Sequence, residues 1–281
     1  MIAPRLVLAV VGALLCGACA AAPVAPPAPP AATVQAREAP APTTTTTATP
    51  PEKLRVLLTD DDGWEAGGIT AMRAALLDAG YDVTLVAPSG NRSGAGATSD
   101  GRTELEEKRP GVYAVDGYPV DAVRAGLDLM RADPPDLVVS GTNLGHNSGT
   151  GIVESGTVGA AVTAARAGFP AIAASTHRGK TEDDCAPTAA YVTRLVRTLG
   201  PRLFAPGVVV NVNYPAGDRA EEVRVRDPLV VELDGEDMRV PTDGPDDDVD
   251  LLDDGVATLT QLDLGPEPST TVVDRLRDVP A

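Results

Sequence analysis

Three carboxylates in a row, Asp60, Asp61 and Asp62, follow the apolar run Val56-Leu57-Leu58 and end on Gly63. Adjacent like charges repel, and burying them unpaired is costly. A bound cation is the natural remedy, with a solvated acidic turn as the plainer reading of Asp-Asp-Asp-Gly alone. Two more oxygen-rich, glycine-rich stretches occur, at residues 89–101 and 140–151. Their combined donors are carboxylates, hydroxyls and amides, without Cys or an obligatory His. Hard oxygen donors select Mg²⁺, Mn²⁺ or Ca²⁺. Next comes Ser155-Gly156-Thr157-Val158-Gly159. A Ser or Thr at a helix start caps free N–H groups, and those same groups bind anions. A cation site beside a helix start is phosphate chemistry.

Several elements must bring these stretches together. Val56-Leu57-Leu58 lacks polar alternation and predicts a buried parallel strand. Helical spacing through Ile69, Met72, Leu76 and Leu77 predicts a helix over 68–79, closed by Gly80. Strands are predicted over 83–87, 112–115, 137–139, 171–174 and 208–212, with helices over 119–130, 157–167 and 187–199. This alternation means an α/β fold, a Rossmann-like doubly wound and mostly parallel sheet. The three loops leave the carboxyl ends of strands and so share one rim. After Tyr214 the chain reads as a loop-rich C-terminal portion with short strand-like pieces, and residues 243–254 as a solvated acidic loop.

The chain has 281 residues and a formal net charge of −17, which argues against a nucleic-acid-coating surface. Residues 1–19 read as a signal peptide of lipoprotein type, with Cys19 the lipidated residue; cleavage near residues 20–22 is the competing reading. Residues 20–52, almost all Ala, Pro and Thr, read as a disordered stalk, and 53–281 as the folded domain. The expected location is outside the cytoplasm: the cell envelope, anchored by lipid on the outer side of the cytoplasmic membrane, or secreted. Cys185, the one cysteine of the domain, reads as a surface or semi-buried thiol.

These stretches together resemble the SurE family of metal-dependent nucleotidases and phosphatases. Leu57-Leu58-Thr59-Asp60-Asp61-Asp62-Gly63 is similar to that family's opening strand and Asn-Asp-Asp-Gly. Residues 87–94, Ser140-Gly141-Thr142-Asn143-Leu144-Gly145-His146-Asn147, Ser155-Gly156-Thr157-Val158, residues 168–173 and Val210-Asn211-Val212-Asn213-Tyr214-Pro215 follow in family order. The resemblance implies one divalent cation, Mg²⁺ or Mn²⁺, held by Asp61, Asp62, Ser93 and Asn143. It implies that Asn147, Ser155, Gly156 and Thr157 face the phosphate, with Asp61, Asp62 and Asn147 catalytic. The implied reaction is hydrolysis of nucleoside monophosphates (5′/3′-nucleotidase), or another small phosphomonoester, to an alcohol and phosphate by an activated water.

Departures from the family pattern are Asp60 for Asn, Glu154 for a common aromatic, and Thr163 for a usual Glu. They motivate a rival reading, a surface-anchored metal- or phosphate-binding protein with little turnover. The segment after Pro215 is short, so a homodimer or monomer is expected rather than a tetramer. The only histidines are His146 and His177, in the wrong order for a histidine phosphatase. Ser93 lacks the Gly-x-Ser-x-Gly setting of an acyl-transfer nucleophile, and the acidic first loop is wrong for a dinucleotide.

Overall fold

A computed structural model describes residues 53–200, 207–217, 219–235, 237–240, 248–265, 272–277 and 279–280. The expected leader and stalk lie outside the described residues. In chain order the elements are β1 (Arg55–Thr59), α1 (Gly67–Asp78), β2 (Asp82–Pro88), β3 (Leu105–Arg109), β4 (Val112–Val115), α2 (Pro119–Leu129) and β5 (Leu137–Leu144). They continue with α3 (Gly156–Arg166), β6 (Ala171–His177), α4 (Glu182–Leu199) and β7 (Val208–Pro215). Last come β8 (Glu222–Val225), β9 (Leu229–Val230), β10 (Glu232–Asp234), β11 (Asp237–Arg239), α5 (Asp248–Asp253), β12 (Val256–Asp263) and α6 (Val273–Leu276).

The main sheet runs β3-β4-β2-β1-β5-β6-β7-β12-β8, with β9 also on β12, and β10 and β11 form a separate hairpin. From β4 through β7 every pairing is parallel. Strand alternation divides the core in two. Val56 and Leu58 pack with Ile69, Met72 and Leu195 of α1 and α4, whereas Leu57 packs with Val123 and Val158 of α2 and α3. A sheet buried on both faces needs apolar residues at every strand position, which is why these strands read as continuous runs. After β4 the chain recrosses to β5 beside β1, so the strand order reverses between β1 and β5. That switch point opens a crevice at the carboxyl ends of these two strands.

Four details differ from expectation. Helix α4 starts at Glu182, ahead of Pro187, because Thr181 and Asp184 form a reciprocal capping box. Residues 256–263 form a strand embedded in the sheet, antiparallel to β7 and parallel to β8. Residues 248–253 are helical rather than a solvated loop, and the buried Asp248 pairs with Arg226 at 3.2 Å. Cys185 is fully buried in α4, part of the core rather than a surface thiol. Among the described residues no helix is long and apolar enough to cross a membrane.

Candidate active site

The acidic turn begins where β1 stops. Asp60 and Asp61 are buried and Asp62 is half-buried, and one oxygen from each lies within 4.8 Å of the others. Burial, then the charges of Asp61 and Asp62, pushes the Asp60 carboxyl well above the ordinary range. Burial and the Asp62 charge also raise Asp61, against the pull of the Thr157 hydroxyl. Asp60 Oδ2 is buried without a hydrogen-bond donor. Crowded, desolvated carboxylates with spare lone pairs are donors in want of a positive charge. An all-oxygen set of this kind fits a hard divalent cation and not a thiophilic one.

The loop after β2 is laced to this turn. Arg92 N donates to the Asp61 carbonyl at 2.7 Å. Asn91 Nδ2 and Ser93 Oγ both donate to Asp62 Oδ1, at 2.8 and 3.3 Å, and Asn91 Oδ1 accepts from Ser93 N at 2.9 Å. Ser93 is exposed, beside the carboxylate with which it was expected to share an ion. The far end of the same loop is fastened by Asp121 at the start of α2. Its carboxylate accepts from Ser99 Oγ and from the N–H groups of Asp100, Gly101 and Tyr118.

The third loop closes over the other side of Asp62. Leu144 N donates to Asp62 Oδ2 at 2.8 Å, so both Asp62 oxygens are held from flanking loops. Asn143 Nδ2 donates to the Gly145 carbonyl at 2.7 Å, which leaves the amide oxygen as the donor atom the side chain can offer a cation. Asn147 is pinned on all sides. Its N–H donates to Asn213 Oδ1, its Nδ2 donates to Ser175 Oγ, and its carbonyl accepts from both Asn211 and Asn213. The Asn-Val-Asn of β7 thus serves as a clamp. Asn91, Asp121, Ser175, Asn211 and Asn213 carry this scaffolding and were not among the expected site residues.

Helix α3 supplies the last side. Ser155 is its N-cap and accepts from Val158 N at 3.1 Å. The N–H groups of Gly156 and Thr157, at the first helical positions, have no acceptor within the helix. Thr157 Oγ1 donates to Asp61 Oδ1 at 2.9 Å. A Cβ on Gly156 would lie 2.7 Å from Asp61 Oδ2, and one on Gly159 would lie 2.1 Å from the Gly96 carbonyl. Both glycines are dictated by approach distance. The expected residues Asp61, Asp62, Ser93, Asn143, Asn147, Ser155, Gly156 and Thr157 therefore meet at one rim. Thr163 does not. It lies in the next turns of α3, donates to the Gly159 carbonyl at 2.8 Å and lines a separate hollow with Arg124 and Arg166. Glu154 is exposed in the turn just before Ser155.

Comparison with known proteins gives a consistent picture. The family described as Survival protein SurE matches residues 56–232. A 5′-nucleotidase SurE of Geobacter metallireducens is 42% identical over 164 residues, 58% of this chain and 65% of that protein. The match thus spans just under two thirds of that relative. One of Treponema pallidum is 45% identical over 171 residues, 57% of this chain and 89% of its own length. One of Gloeobacter violaceus is 34% identical over 244 residues, 76% of this chain and 92% of its own. The crystal structure of a SurE protein from Aquifex aeolicus superposes with a TM-score of 0.62 at 27% identity, covering 80% of this chain and all of that one.

Proposed function

Since this chain belongs to the SurE family, we propose that it is a metal-dependent phosphomonoesterase that hydrolyses nucleoside monophosphates to nucleoside and inorganic phosphate. The observation that carries this reading is the Thr157–Asp61 contact of 2.9 Å, which joins the start of α3 to the acidic turn. A site for positive charge and a site for negative charge share one side chain. Asp61, Asp62, Ser93 and Asn143 would hold the cation, with the buried Asp60 carboxyl within 4.8 Å of Asp61 and Asp62. When bound, the cation supplies Lewis-acid polarisation of a phosphoryl oxygen and a lowered pKa for water.

The chain's own groups do the rest. The free N–H groups of Gly156 and Thr157, together with the positive end of the α3 dipole, receive charge that builds on the phosphoryl oxygens. Asn147, fixed through β6 and β7, keeps its loop from yielding as that charge develops. Both loops that flank Asp62 hold it by hydrogen bonds, so the carboxylate is oriented before substrate arrives. Phosphate release from a panel of nucleoside monophosphates, with Mn²⁺ or Mg²⁺ and with a chelator, tests the reading. Metal-dependent release supports it. Stoichiometric metal and phosphate binding without turnover would favour the rival binding-protein reading that Asp60, Glu154 and Thr163 motivate.

The composition of residues 1–52 supports a location in the cell envelope, anchored by lipid on Cys19 outside the cytoplasmic membrane. Cys19→Ala should abolish lipid labelling and membrane retention; native protein found in the cytoplasm with its leader intact would refute this. The shortened segment after Pro215 supports a dimer or monomer, and a stable tetramer by light scattering would refute that.

A further inference from the structure

His146 stands between Gly145 and the clamped Asn147, on the loop that also holds Asp62, and no role described so far uses it. Its Nδ1 lies 3.0 Å from His177 Nδ1 at the end of β6, and His177 Nε2 lies 2.8 Å from Asp253 Oδ1 at the end of α5. The proton positions are assigned from these contacts. Arg178 Nε–H also points at His177 Nε2 from 3.0 Å, so two contacts compete for that nitrogen; we assign it the proton, because the Asp253 carboxylate can only accept. The proton therefore sits on Nε2 and goes to Asp253, whose other oxygen accepts from Arg178 at 2.7 Å. His177 Nδ1 is then the acceptor for His146 Nδ1–H, and the nitrogen of His146 left to titrate is Nε2.

This is a carboxylate–imidazole–imidazole relay directed at the site loop. It is not a chelate, since among the described residues only Asp60, Asp61 and Asp62 form a three-ligand cluster. His177 is buried whereas His146 is half-buried, so the outer imidazole, one residue from Asn147 on the site loop, is the end of the pair open to solvent.

We propose that His146 is a catalytic residue that donates a proton from Nε2 to the leaving oxygen of the phosphate ester, with His177 and Asp253 as positioning residues. The proposal rests on the phosphomonoesterase reading and extends it to the leaving-group side. In the step, the bond between phosphorus and the ester oxygen breaks and its electron pair stays on that oxygen, which takes the His146 proton and departs as the alcohol. Water forms the new bond to phosphorus and gives one proton to solvent, from which His146 is recharged. The groups facing the pair are Asp253, which favours the charged imidazole, and Arg178, which opposes it. Burial, then the neighbouring His177, holds His146 below the ordinary histidine range, so the Nε2 proton is present at acid pH and is lost as pH rises through that lowered range.

Leaving-group dependence separates this role from mere support. A nucleoside alkoxide needs a proton to depart; p-nitrophenolate does not. His146→Gln should lower kcat/KM for a nucleoside monophosphate by about 10²-fold or more, the scale of a lost general acid, with p-nitrophenyl phosphate nearly unaffected. Asp253→Asn, at the more exposed end of the relay, should reproduce the same bias at smaller size. Equal losses on both substrates, or no loss on either, would overturn the proposal. Wild-type protein that cleaves neither ester with any divalent cation would instead overturn the phosphomonoesterase reading, and this proposal with it. Retained p-nitrophenyl phosphatase activity shows that each variant is folded.

Discussion

Gly156 and Asp61 touch with no room for a methyl group: a Cβ on Gly156 would sit 2.7 Å from Asp61 Oδ2 and 2.8 Å from Asp61 Cβ. The first residue of α3 and the second carboxylate after β1 are thus one contact surface. Anything that widens it separates the proposed cation from the proposed phosphate cradle.

Gly156→Ala should therefore damage activity without unfolding the core, since the clash is with a rim side chain. Loss of about 10²-fold in kcat, the scale of one misplaced electrostatic group, is expected together with weaker Mn²⁺ binding by calorimetry. A variant with unchanged kcat and metal affinity would show that the contact is incidental.

Asp62→Asn should cost at least about 10²-fold in rate, because it removes a charge held at 2.8 Å by Asn91 and at 2.8 Å by Leu144 N. The far-ultraviolet dichroism should stay native. Asp61→Asn is expected to behave alike. Full metal-dependent activity in both variants would mean that the cation is held elsewhere.

Asp60 makes a prediction about stability rather than rate. Its carboxyl titrates above the unfolded value of about 3.9 when folded, so the native state binds the extra proton. Stability of the metal-free protein must then fall as pH rises from about 4 through the elevated native pKa. Asp60→Asn removes that penalty. Metal-free Asp60→Asn should melt higher than wild type at pH 7, by about 2 °C or more, with the gap closing toward pH 4. A lower melting point at pH 7 would show that the carboxylate is compensated by the protein itself.

Cys185 is buried against Thr176, and burial raises its thiol pKa. Peptide mapping after brief treatment of native protein with iodoacetamide should find it unmodified, and modified after denaturation. Rapid labelling in the native state would show that α4 opens locally.

Much of the fold was legible because the parallel strands are buried on both faces and spell their position in unbroken Val, Leu, Ile and Ala. β12 hid for the opposite reason. Its Thr258, Gln261 and Asp263 are buried too, yet their polarity reads as surface, and only the structure shows Gln261 Nε2 donating to Asp263 at 2.8 Å. β3, Leu-Glu-Glu-Lys-Arg, is an edge strand whose charges discourage further pairing and mask its conformation. In the site, the acidic turn and the helix start announce their chemistry by residue type. Asp121 leaves no local pattern, and the Asn-Val-Asn of β7 is visible as a motif but not as a clamp, because both act largely on backbone atoms of distant loops.

The placement of β12 also dictates when the molecule becomes complete. A ribosome delivers β1 to β7 first, and the outer edge of β7 then carries unpaired N–H and C=O groups until residues 256–263 emerge and dock antiparallel against 208–213. Closing that distance costs chain entropy that local pairings avoid. A nascent or truncated chain ending before residue 256 therefore presents a long, apolar, open β-edge to its neighbours. Intermolecular strand pairing competes with completion of the sheet, and α5, which carries Asp253 and packs against β12, gains that support only once the contest is won.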